Sequence, residues 1–324
     1  MKVLVCGGAG YIGSHMVRFL REHGHAVVVF DNLSTGHAPA VGDAPLVCGD
    51  VRDAAALDAL FKAHAFDAVM HFCARSLVGE SVVKPYDYYD NNVGGTLGLL
   101  QAMQRAGVGK LVFSSTAAVF GVPQAELIDE DHPKAPINPY GASKLMVERI
   151  LNDAAAAYGL RSVALRYFNA AGADPAGNIG ESHAPETHLI PNILRAALGH
   201  GPGLKVFGDD YATRDGTCVR DYVHVNDLAA AHLAAVDYMA DHAGHHVFNL
   251  GNGTGFTVLE VIDAARRATG AKIAFERASR RAGDPPVLVA SSARARSELG
   301  WTPRYTEVSA IIETAWRWHQ NARY

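Results

Sequence analysis

The chain has 324 residues, of which 49% are hydrophobic and 19% charged, and its net charge is −4. This composition is typical of a globular enzyme large enough for two lobes, and it argues against a disordered chain. Lysine and arginine form no basic stripe, so we expect neither a nucleic acid nor an anionic membrane surface as a partner. The apolar runs are too short to cross a bilayer, and residues 2–6 already read as a strand, so we expect no membrane span and no signal peptide.

The cysteines and histidines carry little pattern. The four cysteines have no paired spacing, which indicates free thiols and predicts a cytoplasmic protein. The sixteen histidines show no spacing typical of metal ligands, so the sequence predicts no metal site.

A glycine-rich loop follows the first strand-like run directly. Gly7, Gly10 and Gly13 stand in a G-x-x-G-x-x-G spacing, and residues 11–20 continue with helical periodicity. Gly7 permits a tight turn, Gly10 lets the backbone approach a pyrophosphate, and Gly13 allows close helix packing. The helix amino terminus then offers unpaired N–H groups to the phosphates, so the loop predicts a dinucleotide site.

Two acidic residues follow the next strand-like runs. Asp31 ends the apolar run 26–30, near the distance at which a carboxylate receives the adenosine ribose hydroxyls. A 2′-phosphate would meet that carboxylate, so Asp31 favours NAD over NADP. Asp50 ends the next short strand-like run, where its carboxylate could accept a hydrogen bond from the adenine amine.

Strand-like runs alternate with helical stretches through 68–72, 110–115 and 162–168. This alternation predicts an α/β fold with a Rossmann-type, doubly wound parallel sheet, in which ligands bind at the carboxyl ends of the strands. The pattern breaks after Gly172. We therefore expect an NAD-binding domain over residues 1–172, onto which about 216–250 pack back, and a smaller, discontinuous α/β substrate lobe over 173–215 and 251–324.

Candidate catalytic residues lie after the run 110–113. Thr116 follows two serines, and its hydroxyl could donate to a substrate oxygen. Asn138 and Pro139 predict the start of a helix, which places Tyr140 in its first turn and Lys144 one turn later. The lysine and a cationic nicotinamide would both favour the Tyr140 phenolate, a base that can take an alcohol proton as hydride leaves the carbon.

At this point the chain resembles the extended short-chain dehydrogenase/reductases, and within them the UDP-sugar 4-epimerases. The segments that carry the resemblance are 7–14, 30–33, 71–72, 78–81, 88–92, 140–144, 166–169 and 219–224. It implies an enzyme that interconverts UDP-glucose and UDP-galactose through a 4-keto intermediate, with tightly held NAD, in galactose metabolism. It also implies a homodimer that pairs helices near 94–105 and 145–157.

The resemblance further assigns binding residues. It implies contacts to NAD from Tyr11, Ile12, Asp31, Asn32, Asp50, Val51, Phe72, Asn91, Lys144 and Phe168. It implies contacts to UDP from Asn169, Arg220, Arg281 and Asp284. The planar guanidinium of arginine suits a diphosphate, which agrees with the second group.

Four positions depart from the family pattern. Thr116 replaces a serine and keeps the hydroxyl. A family lysine that contacts the cofactor is either lost here or supplied by Arg75. His188 stands where some relatives place an asparagine near the substrate diphosphate. Leu288 stands where some members have a tyrosine against the C2 substituent of the sugar, so the smaller side chain leaves room for an N-acetyl group.

The residue pattern by itself leaves other activities open. A dehydratase or decarboxylase would need an acidic residue just after the Thr116 hydroxyl, and Ala117 and Ala118 cannot move protons. A 4-epimerase of UDP-N-acetylglucosamine or another UDP-sugar would need only different sugar contacts. An NAD-binding sensor without turnover is the alternative from a different class, although such proteins usually lose the tyrosine or the lysine.

Overall fold

The structure is a computed structural model that describes residues 1–201, 203–281 and 284–324. Its strands are β1 (Lys2–Cys6), β2 (Ala26–Asp31), β3 (Leu46–Cys48), β4 (Ala68–His71), β5 (Lys110–Thr116), β6 (Arg161–Tyr167), β7 (Asn169–Ala171), β8 (Leu204–Phe207), β9 (Val219–Arg220), β10 (Tyr222–His224), β11 (His245–Leu250), β12 (Phe256–Thr257), β13 (Phe275–Ala278) and β14 (Val287–Leu288).

The helices follow the strands in alternation through most of the chain. They are α1 (Tyr11–Glu22), α2 (Ala54–Ala63), α3 (Val78–Val83), α4 (Pro85–Tyr88), α5 (Gly95–Ala106), α6 (Pro139–Tyr158), α7 (Leu189–Ala197), α8 (Val225–Asp241), α9 (Val258–Thr269), α10 (Ala293–Glu298) and α11 (Val308–Gln320). A π-helical turn, Tyr89–Gly94, leads into α5. Within the described ranges, no helix combines the length and the apolar character that a membrane span requires.

The main sheet has seven strands in the order β11-β6-β5-β4-β1-β2-β3, and every neighbouring pair is parallel. The strand order turns back between β1 and β4, because β2 and β3 extend the sheet on one side while β4, β5 and β6 extend it on the other. Two apolar clusters of buried residues include side chains of these strands. The predicted α/β class and Rossmann-type sheet are confirmed.

Residues far along the chain complete this sheet. Strand β11 is its edge strand beside β6, and α8 packs against α1. Ala295 and Trp301 also lie in the core cluster that α1 and α8 share.

A third apolar core lies apart from the main sheet. Ile193 of α7, Ile262 of α9 and Ile311 of α11 are completely buried in it. Strands β8 and β13 form a parallel pair beside it, and β9 lies between β12 and β14 in a three-stranded sheet.

The segment before α8 forms two short strands, β9 and β10, and not one continuous strand. The strand is divided at Asp221, which is completely buried and accepts hydrogen bonds from the backbone of Asn252, Gly253 and Ala290. These long-range bonds turn the chain, so β9 pairs with β12 and β14 while β10 pairs with β7. Asp221 therefore joins segments that are distant in sequence.

Candidate active site

The glycine loop lies between β1 and α1, at the carboxyl edge of the sheet. Gly7 has φ of +79°, and a Cβ there would lie 2.6 Å from the Cys73 backbone nitrogen. A Cβ on Gly13 would collide with the Gly7 carbonyl oxygen. Gly10 is the N-cap of α1 and has no side chain to satisfy the first-turn N–H groups. The loop thus forms a cradle of backbone donors that fits a dinucleotide phosphate.

Asp31 is the last residue of β2 and is held by the backbone on both carboxylate oxygens. Ala9 N donates to Oδ2 at 2.9 Å, and Leu33 N donates to Oδ1 at 2.8 Å. Each oxygen can accept a second hydrogen bond, so the fixed carboxylate can still receive ribose hydroxyls. The residues present fit the NAD that the sequence predicts.

Asn32 and Asp50 meet at the same edge, where Asn32 Nδ2 donates to Asp50 Oδ2 at 2.8 Å. Arg52, which the sequence analysis missed, pairs with Asp50 through Nε at 2.9 Å and Nη2 at 2.7 Å, and reaches Asp90 at 2.9 Å. The Arg52 guanidinium holds the pKa of the Asp50 carboxyl well below its usual range. Asp50 is therefore anionic. Arg52 lies against the same carboxylate for which the sequence predicted a contact with adenine.

The other side chains expected around the nucleotide surround this edge. Tyr11 Oη donates to the Gly172 carbonyl at 2.6 Å, and Ile12 packs against the core beside it. Phe72 follows β4 with its ring 4.7 Å from His232. Val51 is buried, and Asn91 Nδ2 donates to the Cys73 carbonyl at 3.1 Å.

Arg75 is the residue that could replace the family lysine that contacts the cofactor. Its Nη1 lies 3.8 Å from Glu80 Oε2 and 3.9 Å from Asp87 Oδ2. Its backbone N–H donates to Asn92 Oδ1 at 2.8 Å. The guanidinium is thus engaged by two carboxylates of α3 and α4.

Tyr140 lies at the start of α6, and the local sequence explains its position. Asn138 caps the helix by accepting from Gly141 N at 2.8 Å, and Pro139 occupies the first turn, as predicted. A Cβ on Gly141 would collide with the Ala118 carbonyl oxygen, so the glycine lets the helix start approach the end of β5. This approach brings Tyr140 beside Thr116, the last residue of β5.

Lys144 lies one turn along α6 and is only 3% exposed. Its Nζ donates to the Ser114 carbonyl at 2.6 Å and lies 6.0 Å from the centroid of the Tyr140 ring. Burial lowers the pKa of Lys144 to about 8. The structure thus brings Thr116, Tyr140 and Lys144 together at the carboxyl end of the central strand.

The protein groups by themselves do not lower the pKa of the Tyr140 phenol. Burial raises the pKa of Tyr140, and only the hydrogen bond with Thr116 opposes that rise. Lys144 donates its hydrogen bond to the Ser114 carbonyl, 6.0 Å from the centroid of the Tyr140 ring. A phenolate here would need the positive charge of a bound nicotinamide.

A buried ion pair supports this helix and was missed in the sequence. Glu148, one turn beyond Lys144, accepts from Arg166 Nε at 2.9 Å and Nη2 at 2.6 Å. Ser115 Oγ donates to the same carboxylate at 2.6 Å. The pair joins α6 to β5 and β6 directly beneath the candidate catalytic residues.

Three of the residues expected to hold UDP form one cluster. Arg220 Nη2 lies 3.5 Å from Asp284 Oδ1, and Arg281 Nε donates to Asp284 Oδ2 at 2.9 Å. Arg220 Nη1 also donates to the Pro285 carbonyl at 2.9 Å. Asn169 lies on β7, and its Nδ2 donates to the Asp221 carbonyl at 2.7 Å. Asn169 is thus tied to the residue that follows Arg220.

Phe168 and Leu288 pack against one small apolar cluster. It is formed by Val119, Phe120 and Ile128, and the first two closely follow Thr116 in the chain. In the pairing of β14 with β9, Leu288 is also the register partner of Arg220. Leu288 therefore lies between the cluster of Arg220, Arg281 and Asp284 and the apolar cluster that follows Thr116.

His188 makes its polar contacts with a different group. Its Nδ1 lies 2.8 Å from Glu181 Oε1 and 3.0 Å from Glu186 Oε1. His183 lies beside them, 3.2 Å from Glu181. The alternation of acidic residues and histidines over 181–188 is a signal in the sequence that histidine spacing alone does not reveal.

Comparison with known proteins shows the family of this chain. The model of the NAD dependent epimerase/dehydratase family matches residues 3–251, more than three-quarters of the chain. The chain belongs to this NAD dependent epimerase/dehydratase family. Within the family it is similar to the UDP-glucose 4-epimerase of Halalkalibacterium halodurans, with 53% identity over 320 residues that cover 99% of this chain and 96% of that protein.

Solved structures of the family are similar along the whole chain. The UDP-glucose 4-epimerase of Brucella ovis in complex with NAD has a TM-score of 0.95 and 50% identity, covering 97% of each chain. That of Bifidobacterium longum, in complex with NAD+ and UDP, has a TM-score of 0.94 and 39% identity, covering 99% of each chain.

Proposed function

We propose that this chain is an NAD-dependent 4-epimerase that interconverts UDP-glucose and UDP-galactose through a 4-keto intermediate. The observation that carries the proposal is the placement of Tyr140 against Thr116, with Lys144 one turn away, at the carboxyl end of a Rossmann-type sheet. More than half of the residues are identical to those of a UDP-glucose 4-epimerase over nearly the full length.

The chain supplies the base and the orientation for this reaction. Tyr140 takes the proton of the 4-hydroxyl, and Thr116 orients the same oxygen through its own hydroxyl. Lys144 holds the nicotinamide ribose beside them. NAD, when bound, accepts hydride from C4 and returns it, so it is unchanged over a turnover.

Inversion at C4 requires the keto sugar to present its other face while the nucleotide stays in place. Arg220, Arg281 and Asp284 provide the fixed end, because their charges form one cluster suited to a diphosphate and a ribose hydroxyl. Asn169 adds an amide beside them. Most of the binding energy then comes from UDP, which leaves the hexose free to turn.

The nucleotide specificity and the lobes follow from the same placement. Asp31 would repel a 2′-phosphate, so we assign NAD and not NADP. We propose that residues 1–172 form the NAD-binding domain, with about 216–250 packing back, and that 173–215 and 251–324 form the substrate lobe. The addition of β11 to the main sheet and the separate apolar core of the smaller lobe support this division.

A second substrate is favoured by one observation. Leu288 packs in the apolar cluster beside the catalytic loop, where a tyrosine would extend further toward the sugar. We therefore propose UDP-N-acetylglucosamine as an additional substrate. His188 has its polar contacts with Glu181 and Glu186, and its contact with the diphosphate stays a prediction.

We propose that the enzyme acts in galactose metabolism in the cytoplasm as a homodimer. The helices expected to pair are α5 and α6, and both carry exposed apolar side chains, Leu97 at 43% and Met146 at 46%. Light scattering coupled to gel filtration would measure the mass. A monomer at micromolar concentration would contradict the dimer.

The activity is tested with purified protein and UDP-glucose, UDP-N-acetylglucosamine and UDP-glucuronate in separate incubations without added NAD. The products are resolved by NMR. We expect the 4-epimers of the first two sugars, formed with cofactor that remained bound. No epimer from any of them, even after NAD is supplied, would support the sensor without turnover.

A further inference from the structure

The loop that leads into α7 carries a cluster that the proposed reaction does not use. Its members, here called the Glu/His cluster, are Glu181, His183, Glu186 and His188. One ligand atom from each residue lies within 4.8 Å of all the others. We propose that the Glu/His cluster is a structural zinc site, in which two imidazole nitrogens and two carboxylate oxygens complete a tetrahedral shell.

The two carboxylate contacts of His183 are close to the separations of tetrahedral coordination, and those of His188 are shorter. Zinc bonds of about 2.0–2.2 Å separate neighbouring tetrahedral ligand atoms by roughly 3.3–3.6 Å. His183 Nδ1 lies 3.2 Å from Glu181 Oε1 and 3.5 Å from Glu186 Oε2. His188 Nδ1 lies 2.8 and 3.0 Å from the same two carboxylates. His188 would therefore have to move away from both carboxylates to admit the ion.

The cluster also contains a buried ring nitrogen without a hydrogen bond. His183 Nδ1 is buried, yet it meets no hydrogen-bond partner of acceptable geometry among the described residues. Such a group costs free energy unless a ligand satisfies it. A metal bond from this nitrogen would do so.

Two of the proposed ligands are buried carboxylates. The side chains of Glu181 and Glu186 are only 6% and 3% exposed, and buried carboxylates are stable only when they are paired or coordinate a metal ion. One zinc ion bound by two neutral imidazole rings would balance both carboxylates.

Four protein ligands leave no open position, which is typical of structural and not catalytic zinc. The surroundings of the cluster agree with that role. The Glu181 carbonyl accepts from Trp318 Nε1 of α11 at 3.0 Å, and His188 is the N-cap of α7. The ion would fasten this loop between the two helices. The donor set of nitrogen and oxygen atoms favours zinc over magnesium, which prefers oxygen ligands alone.

The full-length protein is stripped with a chelator and titrated with Zn²⁺ against a chromophoric competitor, with Mg²⁺ in a parallel titration. We expect one equivalent of Zn²⁺ to bind and to raise the melting temperature, whereas Mg²⁺ does neither. Co²⁺ in place of Zn²⁺ should give the intense visible absorption of a four-coordinate ion. No stoichiometric Zn²⁺ binding, or a six-coordinate Co²⁺ spectrum, would overturn the site.

Variants connect the ion to these residues. Glu181→Gln and His183→Ala should each weaken Zn²⁺ binding at least about tenfold, while His200→Ala, which removes an exposed histidine of the same lobe, should leave it unchanged. His188→Asn is a milder third variant should either of the first two unfold, as circular dichroism would reveal. Unchanged affinity in the folded variants of the cluster would contradict the assignment.

Discussion

At the scale of single residues, burial pushes Tyr140 and Lys144 toward their uncharged forms. It raises the pKa of the phenol and lowers that of the amine to about 8. The sequence predicted the pair, because both residues lie in one helical turn, but it did not predict that Lys144 donates to the Ser114 carbonyl. That contact depends on a strand thirty residues away. The base is therefore expected to form only beside an oxidised nicotinamide.

Replacing Tyr140 tests its role most simply. Tyr140→Phe removes the hydroxyl that takes the substrate proton, so kcat should fall by roughly 10²- to 10⁴-fold. Tyr158→Phe, at the exposed end of the same helix, is the matched control and should retain full activity. Steady-state kinetics with UDP-glucose give the comparison, and turnover of Tyr140→Phe at the native rate would remove the residue from the mechanism.

Leu288 tests substrate selection. Leu288→Tyr adds a ring beside the cluster of Val119, Phe120 and Ile128, which should crowd a C2 substituent. We expect kcat/KM for UDP-N-acetylglucosamine to fall at least about tenfold relative to that for UDP-glucose. Leu288→Met keeps the volume and is the control. Equal loss on both substrates would show that the side chain does not discriminate at C2.

At the scale of elements, α6 connects the catalytic residues to the sheet. Its start was predictable, since Asn138 and Pro139 are local signals. Its anchoring was not, because the ion pair of Glu148 with Arg166 joins residues eighteen apart through the fold. Asp221 illustrates the same limit, since three distant backbone donors divide a strand that reads as continuous.

The buried ion pair gives a prediction about stability. Arg166→Met leaves the Glu148 carboxylate buried without its partner, and we expect the free energy of unfolding to fall by about 3–5 kcal/mol. Arg149→Met breaks the pair with Asp153 on the exposed face of the same helix and should cost less than about 1 kcal/mol. Urea unfolding measures both. A small loss for Arg166→Met would mean that water reaches the carboxylate.

At the scale of the whole molecule, the fold class could be predicted because each strand and helix of the main sheet has its own local pattern. The smaller lobe was predicted only as two segments, since its strands of two to four residues carry no periodicity. The Glu/His cluster was not predicted, because its residues become ligands only when the loop brings them together. Arg52 was missed because its role depends on a contact with Asp50.

Buried histidines should make the whole molecule sensitive to acid. Burial lowers the pKa of His15 and of His232 to about 4, whereas an unfolded histidine titrates near 6.5. The unfolded chain takes up protons first, so the stability from these neutral rings is present above pH 6.5 and lost as the pH falls toward 4. Each ring should account for a loss of roughly 2 kcal/mol in the free energy of unfolding as the pH falls from 6.5 to 5. Urea unfolding at pH 7 and pH 5 measures the loss.

A variant separates this effect from general acid denaturation. His232→Gln should reduce the difference in stability between the two pH values, while His200→Ala should not, because His200 is exposed. An unchanged difference in His232→Gln would show that other groups control the acid response.

The most direct test of the central claim follows the hydrogen on C4. UDP-glucose labelled with deuterium at C4 is incubated with the enzyme in ordinary water, and the UDP-galactose formed is analysed by NMR and mass spectrometry. If hydride leaves C4 and returns to the same carbon, the product keeps its deuterium in full. Replacement of the label by solvent hydrogen would contradict reversible hydride transfer and require a mechanism that exchanges a proton with water.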